Sequence, residues 1–312
     1  IECHRIIARL GGIPPRKLVE GFGVKFPSAD PNAVPELSDT YESNVAGLYI
    51  VGALGGYPLI KQAMNQGYEV VESALGKEVE PADEPLLAKK FVNFSRSKKV
   101  SQVLDVIQSQ VPLLRGVNRL QLREFMLESE ISTPPQGEIL FKRNDYTNSF
   151  FMIVAGDVRI EGDGGKEFVL GAGEFFGELG LISGRRRSST VRAGPHCALI
   201  EAPRRAMLKL VASVETVRRL VDETFLKRAV RAYLAPMLPE SELAELVASG
   251  VAVRKYGGNE VLFNEGDASD GLYLLRRGSV MVSRTIAGRE VVLSYLSAGN
   301  YVGEMALLTD TP

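Results

Sequence analysis

Cysteine is nearly absent from this 312-residue sequence: Cys3 and Cys197 are the only two, and they lie far apart. A disulfide framework and a cysteine-based zinc site are therefore not expected, no metal centre is anticipated, and a reducing, cytoplasmic setting is. An excess of charge of either sign is also missing. Lys and Arg number 37 against 38 Asp and Glu, for a formal net charge of −1. No global basic field draws such a chain to nucleic acid or to an anionic membrane. No apolar run approaches the roughly 20 residues that cross a bilayer. The first residue is Ile, with no charged n-region or signal peptide, and both ends are expected to be cuts within a longer protein. What is present, 45% hydrophobic and 24% charged residues, is the composition of a folded globular chain.

Composition divides the chain. Residues 1–76 are rich in Gly, Pro and short apolar runs. Residues 77–90 are charged, carry Pro81 and Pro85, and read as a linker. Beyond residue 90, helical patterns flank strand-rich stretches punctuated by glycine. That part contains a repeat. Gly137-Glu138-Ile139-Leu140-Phe141 matches Asn259-Glu260-Val261-Leu262-Phe263 at an offset of 122, as Phe150–Ile153 matches Leu272–Leu275. Gly177-Glu178-Leu179 matches Gly303-Glu304-Met305 at an offset of 126. The four extra residues are expected in a hairpin or loop near Thr285-Ile286-Ala287-Gly288. A period this long marks a duplicated domain. Short strands between glycine turns suggest an antiparallel barrel or jelly roll. Between the copies, Leu208, Val211, Val214, Val217, Leu220 and Val221 recur at helical spacing, which predicts one helix over 203–236.

The chemistry concentrates in Phe176-Gly177-Glu178-Leu179-Gly180-Leu181-Ile182-Ser183-Gly184-Arg185-Arg186-Arg187-Ser188-Ser189-Thr190-Val191. Gly177 lets a ligand approach the backbone. The next residues can form a short helix whose free amides favour an anion at its start. Arg187 can give a bidentate contact to phosphate oxygens, and Ser188 a further hydrogen bond. Glu178, acceptor-only when ionised, suits a sugar hydroxyl rather than the phosphate. The three arginines could instead be a solvated basic turn or a weak nucleic-acid patch, but the Gly-Glu partner at fixed spacing would then be unexplained.

This stretch resembles the phosphate-binding cassette of cyclic nucleotide-binding domains, in the order Phe-Gly-Glu-Leu-(Ala/Gly)-Leu, then Arg, two small residues, Thr and Val. The resemblance implies that Gly177, Glu178, Leu179, Gly180, Arg187, Ser188 and Ser189 bind cAMP or cGMP, with Glu178 on the ribose and Arg187 on the cyclic phosphate. The second copy keeps Glu265-Gly266-Asp267 and starts a cassette at Gly303, Glu304, Met305 and Ala306, but its arginine would fall at position 313, one beyond the last residue. That second site is expected to be incomplete in this sequence, with weak or absent anion binding.

Near the N-terminus, Leu48–Val51 reads as a buried strand, Gly52-Ala53-Leu54-Gly55-Gly56 as a glycine turn, and Leu59–Val71 as a helix. The segment resembles the end of the FAD domain of thioredoxin reductase-like pyridine nucleotide-disulfide oxidoreductases, with Ile6–Pro15 resembling the lead-in. The resemblance implies FAD contacts from Gly52, Ala53, Lys61, Gln62 and Ala63. Ala53 stands where the family has the aspartate that binds the ribityl hydroxyl. Cys3-His4 and His196-Cys197 read as packing or strand residues.

The expectation is therefore an α+β multidomain chain. It comprises a remnant of an α/β FAD-binding domain (1–76), a linker (77–90), and two β jelly-roll cyclic nucleotide-binding domains with flanking helices (91–230 and 231–312), the second truncated. The parent would use FAD and NAD(P)H, with a redox protein as possible partner and a homodimer possible. Neither nucleic acid nor membrane is expected as a partner. The fragment itself would carry no catalytic residue. Barrels that bind no nucleotide and serve as a protein-docking module remain the alternative. A transcription factor of the catabolite activator type lacks its helix-turn-helix after the first barrel.

Overall fold

The computed structural model describes residues 15–31, 33–57, 60–92, 94, 99–162, 167–183, 186–233, 239–268, 271–286 and 288–303. The first barrel is a sandwich of two four-stranded antiparallel sheets. One orders β1 (Glu130–Ser132), β8 (Ala198–Ala202), β3 (Phe150–Ala155) and β6 (Phe175–Phe176). The other orders β2 (Ile139–Phe141), β7 (Thr190–Ala193), β4 (Asp157–Glu161) and β5 (Glu167–Gly171). Strand β3 shows why its sequence, Phe-Phe-Met-Ile-Val, is apolar at every position. Phe151 and Ile153 point into the barrel against Phe141, Val158, Phe176, Val191 and Leu199. Phe150, Met152 and Val154 face the other way, into a core shared with helices. A strand covered on both faces loses polar alternation.

Those helices are α3 (Glu84–Phe91), α4 (Val100–Gln110), α5 (Arg119–Glu128), α7 (Arg204–Ser213) and α8 (Glu215–Tyr233). Val100, Val103, Leu104 and Ile107 give α4 one buried face at helical spacing. The start of α5 is held by a reciprocal cap: Asn118 accepts from the Gln121 amide at 2.8 Å, and Gln121 accepts from the Asn118 amide at 3.3 Å. Val217, Val221, Phe225 and Ala229 seat α8 in the same core.

Two expectations change here. The stretch 77–90 is not all linker: from Glu84 it is helix, because Leu87 and Phe91, one turn apart, are both buried in the core. Arg123 of α5 ties this helix down through Asp83 and Glu84. The single helix over 203–236 is two, α7 and α8. Val214 is extended (φ −123°, ψ 109°) and buried, so the chain turns there to keep both apolar faces inward. Residues 234–236 lie outside the described residues.

The second copy reproduces the first in register. Phe151 pairs with Phe176 and Met152 with Phe175; at the sequence offsets, Tyr273 pairs with Val302 and Leu274 with Tyr301. These pairs join β9 (Tyr273–Leu274) to β12 (Tyr301–Val302). The rings of Phe141 and Phe151 lie 5.7 Å apart, and those of Phe263 and Tyr273 the same. The extra residues sit where expected. The hairpin of β10 (Ser279–Ile286) and β11 (Arg289–Ser297) has strands of 8 and 9 residues, against 5 and 5 for β4 and β5. Helix α9 (Glu240–Gly250) packs Leu243 and Val247 against Val230 of α8.

The N-terminal segment holds α1 (Arg16–Gly21), a 3-10 turn (Gly52–Gly55) and α2 (Ile60–Ala74), the last close to its predicted bounds. The predicted strand at Leu48–Val51 is reduced to one bridge, Glu42 to Tyr49, because among the described residues no second strand lies alongside to extend the ladder. Nor does the segment stand apart from the first barrel. Ser28 donates to the Ala212 carbonyl at 2.9 Å, the Val34 amide to Ser213 at 3.1 Å, and Tyr57 to the Leu120 carbonyl at 3.1 Å. Lys209 of α7 bonds both the Gly56 carbonyl and the Glu124 carboxylate. One face of α2 stays uncovered, with Ile60, Met64 and Tyr68 exposed.

The joint at Lys209 is pH-sensitive. Burial pushes the Glu124 carboxyl up from 4.5 to about 7, with Lys209 pulling the other way. A carboxyl raised on folding contributes stability that is fully present below its unfolded value and lost as pH rises through the folded one. Melting temperature is therefore expected to decline between about pH 4.5 and pH 7. The Glu124→Gln variant should flatten that decline. An equal slope in both proteins, by calorimetry across this range, contradicts the assignment.

Candidate functional site

The site lies where β6 ends. Gly177 has φ +89°, a left-handed backbone that favours glycine, and it turns the chain from β6 into the short helix α6 (Glu178–Ser183). A Cβ at Gly177 would sit 2.7 Å from Nη1 of Arg187 and 2.9 Å from the Ser149 carbonyl. The glycine is thus required twice, by its dihedral and by the guanidinium that lies against it.

Arg187 is buried at 3% exposure. Its backbone pairs with the loop before β3: its amide donates to the Asp145 carbonyl at 3.0 Å, and its carbonyl accepts from the Asn144 amide at 2.8 Å. Nε donates to Thr147 Oγ1 at 2.8 Å, and Nη2 to the Ser149 carbonyl at 2.7 Å. The guanidinium lies 4.1 Å above the Phe141 ring and 5.7 Å from that of Phe151. Phe176 stacks on Phe151 at 4.9 Å, which makes an aromatic floor. Nη1 is buried and has no hydrogen-bond partner among the described residues. No ion pair to Arg187 occurs among the described residues. Burial lowers its pKa, and Glu201, Glu178 and Asp145 offset this only at a distance. A cation taken out of water with a donor left over is an anion site in electrostatic terms.

Glu178 is buried at 2% exposure. It accepts from Nη1 of Arg228, on α8, at 2.9 Å, and the same nitrogen donates to the Phe175 carbonyl at 2.8 Å. Leu179 packs against the helical core, and Gly180 is buried. Ser188 is exposed and Ser189 half-buried, both on the segment that follows Arg187. Thr190 accepts from the Arg143 amide at 3.1 Å, fixing this segment to the loop of residues 142–149. The structure therefore brings Gly177, Glu178 and Arg187 together at one turn. Sequence reading missed three residues of the site: Thr147 and Ser149, which hold Arg187, and Arg228, which holds Glu178.

In the second copy, Gly303 has φ +94°, and a Cβ there would lie 2.9 Å from the Gly271 carbonyl, the counterpart of Ser149. The entry into the second cassette has the same backbone. Glu304, Met305 and Ala306 fall outside the described residues.

The geometry of the turn at 52–57 gives no support to a flavin cradle. The Gly52 amide donates to the Gln66 side chain at 2.7 Å, the Gly56 amide to the Ala53 carbonyl at 3.2 Å, and the Tyr57 amide to the Gly52 carbonyl at 2.9 Å. The space beside Gly52 is taken by Ala63, whose Cβ lies 3.0 Å from where a Cβ would be. Ala53 and Lys61 are exposed, and Gln62 is half-buried. Gly52 packs against α2, and the amides of Gly52 and Gly56 are spent within the segment. Cys197 is buried and its thiol pushed up to about 11, which fits packing rather than reactivity. Cys3 and His4 lie outside the described residues. No helix among the described residues is long and apolar enough to cross a membrane, and none of their His, Cys, Asp and Glu side chains group as a metal site.

Residues 133–214 and 253–312 match the family model described as the cyclic nucleotide-binding domain. The cAMP-dependent protein kinase regulatory subunit of Yarrowia lipolytica is 30% identical over 181 residues, covering 56% of this chain and 45% of that protein. The cGMP-dependent protein kinase of Toxoplasma gondii is 27% identical over 202 residues, covering 63% of this chain and 19% of that protein. The chain thus spans less than half the length of either relative. A solved regulatory domain of Toxoplasma gondii PKA with cAMP aligns over 68% of this chain and 82% of its own, at 18% identity and a TM-score of 0.33. The chain carries two tandem cyclic nucleotide-binding-type domains with flanking helices.

Gly177→Ala is expected to destabilise the first barrel, by about 1–2 kcal/mol from the left-handed backbone alone and further from the collision with Arg187. Urea unfolding measures it; a loss below about 0.5 kcal/mol contradicts the packing described here.

Proposed function

We propose that the first barrel binds a cyclic nucleotide, cAMP or cGMP, as the sensing part of a regulatory region. Arg187 takes the ring-closed phosphate, Glu178 accepts from the ribose hydroxyl, and Ser188, Ser189 and the amides from Gly177 to Gly180 line the remainder. The observation that carries this reading is the unpartnered Nη1 of Arg187, buried against Gly177. A barrel that served only as a docking surface would gain nothing from keeping a cation inside without an anion. The match of this barrel to the nucleotide-binding family model supports the same reading.

The flavin half of the sequence expectation gains no support from the turn at 52–57, where the amides of Gly52 and Gly56 are already used. The proposal is confined to nucleotide binding and leaves FAD, NAD(P)H and a redox partner aside.

Calorimetric titration with cAMP and with cGMP tests it. Saturable binding of at least one is expected, weakened about 30-fold or more by Arg187→Ala, since truncating one partner of a buried charge pair costs about 2–5 kcal/mol. Arg187→Lys should fall between, because a point charge cannot reproduce the fork. No binding by the unaltered chain, or equal binding by the alanine variant, overturns the reading.

A further inference from the structure

Helix α2 carries its large apolar side chains on the outside. Toward the protein it turns two polar groups, beside Ala63 and Val70. Gln66 is buried and accepts from the Gly52 amide at 2.7 Å. Glu69 accepts from the Tyr41 hydroxyl at 2.7 Å and from the Ala82 amide at 2.8 Å. On the opposite side Ile60, Met64, Tyr68, Val71 and Leu75 are 56–80% exposed and form one stripe. A surface helix ordinarily buries such a stripe, and a contiguous apolar patch left in water marks an interaction face.

The stripe fits a second copy of itself. From Met64 through Tyr68 and Val71 to Leu75 the steps alternate between one long and one short helical turn, the seam of two packed helices. The stripe is also symmetric about the bond between Gly67 and Tyr68. Run antiparallel, two such helices set Ile60 against the second copy's Leu75, Met64 against its Val71, and Tyr68 over its Gly67. Gly67 lies on the same side of the helix, one turn from Met64 and from Val71, and a Cβ there would meet nothing within 4 Å. Its missing side chain leaves room for the ring.

Charge selects the same direction. Helix α2 has no acidic residue in its first turn and no basic residue in its last, so neither end of its dipole has a counter-charge within the helix. The exposed Lys61 stands at the wrong end for its own helix. Antiparallel pairing carries it to the C-terminal turn of the second copy, where a cation is favoured. A parallel pair would set Lys61 against Lys61. Two faces of this size remove on the order of 1,200 Å² from water, the lower bound of specific interfaces. We propose that α2 is a self-association face, through which two copies of the chain pair antiparallel across a two-fold axis at Gly67 and Tyr68. The pairing uses no residue of the nucleotide site and does not rest on that reading.

Sedimentation equilibrium of the full chain tests the assignment. A monomer–dimer equilibrium with a dissociation constant of the order of 10 µM is expected from an interface at the small end of the range. Met64→Lys and Val71→Glu each put a charge into the seam, and each should weaken the dimer about tenfold or more. Mixed in equal amounts, the two variants should associate more tightly than either alone, because the antiparallel register sets the new cation against the new carboxylate. Both side chains are exposed, so thermal unfolding of the two variants should match that of the unaltered chain when all are monomeric. A chain that stays monomeric up to about 100 µM, its outer face left for another protein or a lipid surface, overturns the proposal. So does a dimer that neither variant weakens, since its interface lies elsewhere. A mixture no tighter than the separate variants overturns the antiparallel register and the proposal with it.

Discussion

A buried guanidinium with a donor to spare organises the first barrel. Arg187 lies in a low-dielectric pocket, over an aromatic floor, with two of its side-chain nitrogens satisfied and the third open. Uncompensated burial of a cation is among the more costly things a fold can do. The surrounding structure is arranged to tolerate it. The loop of residues 144–149 pairs with the arginine at both backbone and side chain. Phe141 and Phe151 supply the faces of their rings, and Phe176 stacks on Phe151. Gly177 supplies space that no other residue could leave. Each of these would be wasted if Arg187 were simply a surface charge.

The second constraint is that β3 is covered on both faces. Its inward residues build the barrel, and its outward residues build the core that holds α4, α7 and α8. The turn that follows β6, the strand paired with β3, places Glu178 within reach of α8. Site and helices are therefore not separate layers joined by a flexible element. They share a strand pairing and an ion pair. The N-terminal segment is tied into the same assembly through Lys209, Ser213 and Ala212 on α7.

Much of this was legible in the sequence, because the signals are local or repeated. The Gly-Glu and Arg positions of the cassette lie close together in the chain, at 177, 178 and 187. The offsets of 122 and 126 carry directly into strand register, down to the pairing of Tyr273 with Val302. What the sequence hid is long-range. Arg228 sits in an arginine-rich helix and looks like one more solvated charge until the fold brings it to Glu178. Val214 continues a helical spacing, so the turn at that residue is invisible to periodicity, which cannot see which faces the two halves must bury. Leu87 and Phe91 were masked by the prolines and charges around them. The strand expected at Leu48–Val51 failed for want of a neighbour, a property of the sheet rather than of the segment. The glycine turn at 52–56 resembled a flavin contact, but the partners of the Gly52 and Gly56 amides, Gln66 and Ala53, lie within the segment itself.

A crystal structure of the chain with cAMP tests the central claim most directly. The cyclic phosphate should lie within hydrogen-bond distance of Nη1 of Arg187, with the ribose hydroxyl on Glu178. Nucleotide found at another place, or Nη1 satisfied by a group of the protein itself, would contradict the account.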